Sequence, residues 1–320
     1  MTGRRLAVGL PLALAGGLLV VHGGWFDGEQ PWEEATGWSS IPADLRPEPS
    51  MAWPAAAGET PSIGWLGHSG FLIEWGGRRI LLDPNTSDHV LVVRRVLERP
   101  IAADALGAVD AVLISHAHFD HLDLATLGAI PHIGTLVVPR GAEPYVTGLT
   151  VATRVAGLDP DEHFAIGALE IVAVPAVHGG NRFHPLASRQ QAVGYIIRLG
   201  STAIYFAGDT GFLNDFIGIG AAYHPLLAIL PIGGYAPAWP SGRVHLSPEQ
   251  AATAADRLGA SVISPCHFGT FAVALDRPAT ALPRFARAAH EHGIRWIMPR
   301  LLRRPDSLRS EPTHERQSRR

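Results

Sequence analysis

The chain has 320 residues, 47% hydrophobic and 17% charged, enough to bury the core of one large domain or two small ones. A net charge of −3 gives no global basic field, which argues against nucleic acid as a partner. The single cysteine, Cys266, excludes an internal disulfide and a thiolate-based zinc site. Every basic residue is Arg, which reads as compositional bias of the source rather than chemistry.

Arg4-Arg5 precedes an apolar run over residues 6–21, the charged and apolar regions of an export signal. At sixteen residues the run is slightly short for a spanning helix, which needs about 20. The arginine pair loosely matches a twin-arginine signal, and with no clear cleavage site an uncleaved anchor stays open. Residues 1–21 are therefore expected to be a signal or membrane anchor, and the chain exported or held at a membrane. Residues 22–61 are rich in Pro, Gly, Ala and Trp and read as a linker draped over the domain, its indoles docking in grooves. A membrane-interface belt is the alternative for Trp25, Trp32, Trp38 and Trp53.

From Ser62 short apolar runs alternate with Gly and Pro. Strands are expected at 63–66, 71–75, 79–82, 111–114, 135–138, 169–174, 193–199, 203–206 and 226–230. Gly76-Gly77 joins the second and third as a hairpin. Helices are expected at 247–258 and 278–290, the first with Ser247 as N-cap, Pro248 opening it and Gly259 past its end. Strands in hairpins first, then strands alternating with helices, predict two facing sheets with helices outside, an α/β four-layer αββα sandwich over residues 62–302. Residues 303–320 read as a disordered charged tail.

The chemistry concentrates in His116-Ala117-His118-Phe119-Asp120-His121, directly after the apolar run 111–114. Imidazole and carboxylate suit Zn²⁺ or a similar divalent ion. Neighbours in a tight turn cannot all reach one ion. His116 and His118 can share one side while Asp120 and His121 face another, which calls for two adjacent metals. His178, Asp209 and His267 each end a further apolar run in the same manner, where the loops of a layered fold converge. Together they complete two metal shells. Ser115 adjoins the motif, but nothing marks it as an activated nucleophile.

With these residues in place the sequence resembles the metallo-β-lactamase superfamily over about residues 62–300. The resemblance implies His116, His118 and His178 on one zinc, Asp120, His121 and His267 on a second, and Asp209 bridging both. It also implies an αββα fold and a shared water whose pKa two Zn²⁺ ions bring toward neutrality, with Asp120 and Asp209 orienting it. Trp65-Leu66-Gly67-His68-Ser69-Gly70, Gly208-Asp209-Thr210-Gly211-Phe212, His245-Leu246-Ser247-Pro248-Glu249 and His267-Phe268-Gly269-Thr270 look like one branch. That branch holds N-acyl-phosphatidylethanolamine-hydrolysing phospholipase D and its bacterial relatives, with ascorbate-6-phosphate lactonase a more distant cousin. Those relatives usually carry Trp at Phe268, Tyr at Phe212 and an aromatic after His178, where this chain has Gly179-Gly180-Asn181-Arg182.

The expectation is a dinuclear zinc hydrolase acting on phosphodiesters of small molecules or lipids, with Asp120, Asp209 and His245 as catalytic groups. His245 would contact a phosphate or protonate a leaving group, against a capping or surface role. His68 and Asp83 would orient ligands from outside, against local strand-end pairing. Arg182 would clamp an anionic substrate or lie on the surface. The competing classes are a lactone or other ester hydrolase, an iron-dependent oxidoreductase and a non-catalytic metal-binding scaffold. The iron–flavin members of the fold tend to carry Glu where this chain has His118.

Overall fold

A computed structural model describes residues 11–14, 17–20, 29–47, 60–182, 191–213 and 215–303. The tail beyond Arg303, Trp25, Trp53 and half of the apolar run near the N-terminus lie outside them. Within that run Pro11–Leu14 and Gly17–Val20 pair as an antiparallel ribbon. No helix among the described residues is long and apolar enough to cross a membrane.

Two sheets face each other. The first is built from β1 (Ser62–Gly67), β2 (Gly70–Trp75), β3 (Arg78–Leu82), β4 (Val109–Leu113), β5 (Ile133–Pro139) and β6 (Ala152–Leu158), closed at its other edge by the short β13 (Arg300–Leu301). Its spatial order is β6-β5-β4-β3-β2-β1-β13. The second contains β7 (His163–Ile166), β8 (Leu169–Gly179), β9 (Gln191–Leu199), β10 (Thr202–Phe206), β11 (Leu227–Pro231) and β12 (Val262–Cys266), laid side by side in that order. In each sheet the hairpins pair antiparallel and the strands joined through helices pair parallel.

Strand parity explains the layers, because successive side chains point to opposite faces. On the first sheet Trp65, Phe71, Ile73, Ile80, Leu82, Ala111 and Leu113 join the core shared with the second sheet. Their neighbours Leu66, Leu72, Leu81, Val112 and Ile114 form a separate core with Leu127 of the covering helix Leu124–Ala129 and with Ile130 just past its end. Both faces are thus apolar, which is why these strands read as continuous hydrophobic runs. Outside the second sheet, Pro248–Leu258 begins in a capping box: Ser247 Oγ accepts from Gln250 N at 3.2 Å, and Gln250 Oε1 from Ser247 N at 3.0 Å. It stops at Gly259 in the left-handed conformation (φ +59°).

The described part of the linker packs on this body. Trp32 and Trp38 lie against the main core with their ring centroids 5.0 Å apart, and Trp38 meets Trp296 edge-on at 6.1 Å. Sequence reading passes over β6, β7 and the hairpin of His89–Val90 with Val93–Arg94, because their side chains are largely exposed and carry little apolar alternation.

Candidate metal centre

The strands of both sheets run out at one end of the sandwich, and the loops beyond them bring the ligand-type residues together. His116 follows β4, His178 sits near the end of β8, Asp209 follows β10 and His267 follows β12. His68 and Asp83 follow β1 and β3 in the same way.

One group is all imidazole. His118 Nδ1 stands 2.9 Å from His116 Nε2 and 3.1 Å from His178 Nε2. The second group is mixed: Asp120 Oδ2 lies 2.9 Å from His68 Nε2, 3.5 Å from His267 Nε2 and 3.6 Å from His121 Nε2. Between the groups stands Asp209. Its Oδ2 is 3.0 Å from His267 Nε2, 3.2 Å from His121 Nε2, 3.6 Å from His245 Nδ1 and 3.9 Å from His116 Nε2. All seven predicted ligands therefore meet in one cluster, with His68 added beside Asp120 and His245 beside Asp209.

A surrounding layer fixes which nitrogen faces inward. Asp83 accepts from Ser115 N at 2.7 Å and Ser115 Oγ at 2.5 Å, and pairs with His121 Nδ1 at 2.6 Å. This leaves His121 Nε2 directed at the cluster. His178 Nδ1 donates to the Val244 carbonyl at 3.0 Å, leaving its Nε2 as the inward lone pair. Ser115 is thus spent on Asp83 and on His116 Nδ1 at 2.9 Å, consistent with a structural role. Glycine makes the approach possible: a Cβ on Gly208, whose φ is +59°, would stand 2.4 Å from the Ser115 Cβ.

Burial splits the imidazoles into two kinds. Desolvation pushes His116 well below its ordinary pKa, His118 to about 3 and His68 to about 4, so all three are neutral. Burial works the same way on His121 and His267, but Asp209 and Asp120 overrule it, raising His121 and carrying His267 to about 9. Burial would raise Asp120 and Asp209, yet the facing histidines hold both well below the usual carboxylate range.

The donor set fits metal ions on the structure's own terms. His121 Nε2, both ring nitrogens of His267 and Asp209 Oδ1 are buried without any hydrogen bond inside the protein. Such orphaned groups cost about 1–3 kcal/mol each unless something coordinates them. Only hard and borderline donors converge, and the Cys266 thiol is buried outside the clusters. The side chains of Asp120 and His245 stay 13% and 15% exposed, which leaves one side of the cluster open.

Arg182 is neither a substrate clamp nor a surface residue. Only 8% exposed, it donates from Nη1 to the carbonyls of Leu122 at 2.6 Å and Ala117 at 3.2 Å, and its guanidinium lies 4.0 Å from the Phe119 ring centroid. It braces the turn that carries His116 to His121. The reason is local: carbonyls left over at a tight turn need donors, and Arg182 supplies them. Sequence reading also misses Asn85 and Arg95. Asn85 Nδ2 donates to the Asp120 carbonyl at 3.1 Å, and buried Arg95 holds the carbonyls of Asn85 at 2.7 Å and Ser87 at 2.8 Å. Asn85 lay in plain view beside Asp83-Pro84, whereas nothing in the sequence around Arg95 marks it as buried.

The match to known proteins agrees with this geometry. Residues 78–268 match the family model described as a beta-lactamase superfamily domain. A UPF0173 metal-dependent hydrolase of Aeropyrum pernix is 32% identical over 255 residues, covering 74% of this chain and 94% of that protein. An uncharacterized protein of Mycobacterium tuberculosis is 34% identical over 250 residues, 74% of this chain. The match spans 66% of that relative's own length. Among solved structures, an isothiocyanate hydrolase from Delia radicum gut bacteria superposes with a TM-score of 0.60 at 22% identity, covering 74% of this chain and 95% of that one. CmlA, a diiron β-hydroxylase from Streptomyces venezuelae, superposes with a TM-score of 0.57 at 22% identity, covering 77% of this chain and 54% of that one. At these identities the superpositions speak for the fold.

Proposed function

The chain belongs to the metallo-β-lactamase superfamily, among its metal-dependent hydrolases, and from that premise we propose that it is a dinuclear zinc hydrolase of phosphodiesters, with N-acyl phospholipids as the substrate class. The observation that carries the reading is Asp209 Oδ2 standing between an all-imidazole group and a carboxylate–imidazole group. In this reading His116, His118 and His178 hold one ion, Asp120, His121 and His267 the other, and Asp209 serves both. When bound, a metal pair supplies Lewis acidity and a water acidic enough to react near neutral pH.

The chain's own residues set up the rest. Asp83 and the Val244 carbonyl keep His121 and His178 in the ligating tautomer. Partly exposed Asp120 and buried Asp209 hold ionised carboxylates that would orient the attacking water. His245 stands with its ring 4.8 Å from that of His178 and 5.2 Å from that of His267. Burial keeps its pKa well below the ordinary value, so it is neutral at working pH. It therefore offers a ring N–H to a phosphoryl or leaving-group oxygen rather than a full positive charge. The phosphodiester choice rests on the likeness of the His245–Glu249 and Gly208–Phe212 stretches to the phospholipase D branch.

The test compares a chromogenic phosphodiester, N-acylated and plain phosphatidylethanolamine and an acyl lactone, each with and without chelator. Chelator-sensitive cleavage of the phosphodiesters is expected. Fast lactone opening with no phosphodiester cleavage would overturn the substrate assignment.

A further inference from the structure

The exposed large hydrophobic residues are not scattered. Leu91, Val92, Val177, Ile217, Trp239 and Leu275 are between 40% and 72% exposed, and only Val155 shares that character elsewhere among the described residues. Each belongs to a segment at or after a strand end on the side of the sandwich where the ligand residues emerge. Leu91 and Val92 form the tip of the hairpin between Val90 and Val93, which packs on Phe271 and Phe119 of the ligand turn. Val177 immediately precedes His178. Ile217 is the second residue of the helix Phe216–Tyr223, which follows Asp209 in the chain. Trp239 and Leu275 lie on adjoining loops, joined where Leu275 N donates to the Ala236 carbonyl at 3.1 Å, and the first loop leads into His245. Single exposed apolar residues need no explanation, but a rim of them around one opening does.

Two further observations say what covers this rim. Arg94, beside the hairpin tip, and Arg243, two residues before His245, are exposed, and neither joins an ion pair among the described residues. Cations flanking apolar side chains and an exposed indole suit an anionic membrane interface. The described part of the linker, which begins at Glu29, also meets this end. Glu29 pairs with Arg99 at 2.6 Å, and Arg99 pairs with Asp88 at the hairpin base at 2.8 Å. Gln30 then bridges to Leu97. In the sequence the apolar run ends at Val21, eight residues before Glu29.

We infer that the face carrying the mouth of the metal centre lies against an anionic lipid bilayer, with Leu91, Val92 and Trp239 entering the interface, so that the substrate's phosphodiester is drawn from a lipid headgroup at that surface. For its substrate the inference rests on the phosphodiester reading; the docking geometry stands apart from it.

The experiment places nitroxide labels on the full chain at Val92→Cys and Trp239→Cys, with Ser201→Cys as the reference. Ser201 is exposed on the β9–β10 turn at the opposite end of the sandwich, and native Cys266 is fully buried and stays unlabelled. Metal content equal to that of the unsubstituted chain reports correct folding. With phosphatidylglycerol–phosphatidylethanolamine vesicles, labels at 92 and 239 should favour collision with oxygen over a water-soluble nickel chelate several-fold more than the label at 201. Equal accessibility at all three positions would overturn the docking. So would labels at 92 and 239 already immobilised without vesicles, which would mean that a second copy of the chain covers the rim. Lipid-exposed labels in a protein that cleaves no phosphodiester would uphold the docking and sink the phosphodiester reading alone.

Discussion

His68 Nε2 and Asp120 Oδ2 stand 2.9 Å apart, on a histidine that is almost fully buried and held in the left-handed backbone region at φ +51°. That conformation costs about 1–3 kcal/mol at a non-glycine residue and needs surrounding contacts to hold it. They are present: its N–H donates to Thr270 Oγ1 at 2.6 Å, and its carbonyl accepts from Trp65 Nε1 at 3.0 Å and from His267 N at 3.1 Å. The loops after β1 and β12 are thereby tied together, and His68 is aimed at Asp120 before any ion arrives.

His68→Ala should accordingly leave the fold intact and weaken metal binding at the Asp120–His121–His267 group by about 10- to 100-fold, the usual effect of removing an orienting partner. His68→Gln, which keeps a donor, should recover part of that loss. Metal titration of both variants checks this, and equal affinity in the two would show that His68 acts only as filler.

Much of this was legible in the sequence, and the part that was not has a common cause. Side chains that serve the cluster directly stand at the ends of apolar strands, so His116, His178, Asp209 and His267 were found by position and type. The Ser247 cap and Gly259 stop were equally plain, because capping chemistry is local. Arg182 and Arg95 were misread or missed because their partners are backbone carbonyls, which no residue letter records. The edge strands β6 and β7 escaped because exposure on an edge removes the apolar signal.

Arg182→Met keeps the bulk of the side chain and removes both hydrogen bonds to the ligand turn. Hydrogen bonds from a charged donor are worth about 1.5–3 kcal/mol, so a stability loss of about 2 kcal/mol is expected, along with weaker metal binding. Chemical denaturation of the metal-free and metal-loaded variant measures both. An unchanged midpoint in each would mean that the turn does not need its brace.

Metal loading should release protons. His267, with a pKa of about 9, is cationic in the metal-free protein at pH 7.5, and the carboxylates raise His121 in the same direction, whereas His118 at about 3 is already neutral. Metal loading should therefore displace at least the His267 proton. Calorimetry in buffers of different ionisation enthalpy would read this number. The same groups set the stability of the metal-free chain. Because the His267 pKa is raised above its unfolded value, its contribution is complete below about pH 6.5 and is lost as pH rises through about 9. A metal-free chain that gains stability between pH 7 and 9 would contradict this charge assignment.

His245 is the residue on which catalysis and metal binding can be told apart. It is close enough to His178 and Asp209 to count as a ligand, since their donor atoms all lie within 4.8 Å of one another. Yet its Nδ1 is 3.6 Å from Asp209 Oδ2, beyond hydrogen-bonding distance, and His178 spends its own Nδ1 on Val244, the residue just before it. His245 thus sits on a segment that already positions a ligand, its side chain 15% exposed and its Nδ1 buried on the side of Asp209. If it serves the substrate, His245→Ala should bind the same number of ions as the unsubstituted chain and lose turnover by about 10²- to 10⁴-fold. The loss should fall mainly on kcat if the contact forms in the transition state, and mainly on KM if it binds the phosphate equally in both states. Elemental analysis beside steady-state kinetics decides the matter. A variant that has lost one ion along with its activity would make His245 a ligand and leave the substrate contact to another side chain.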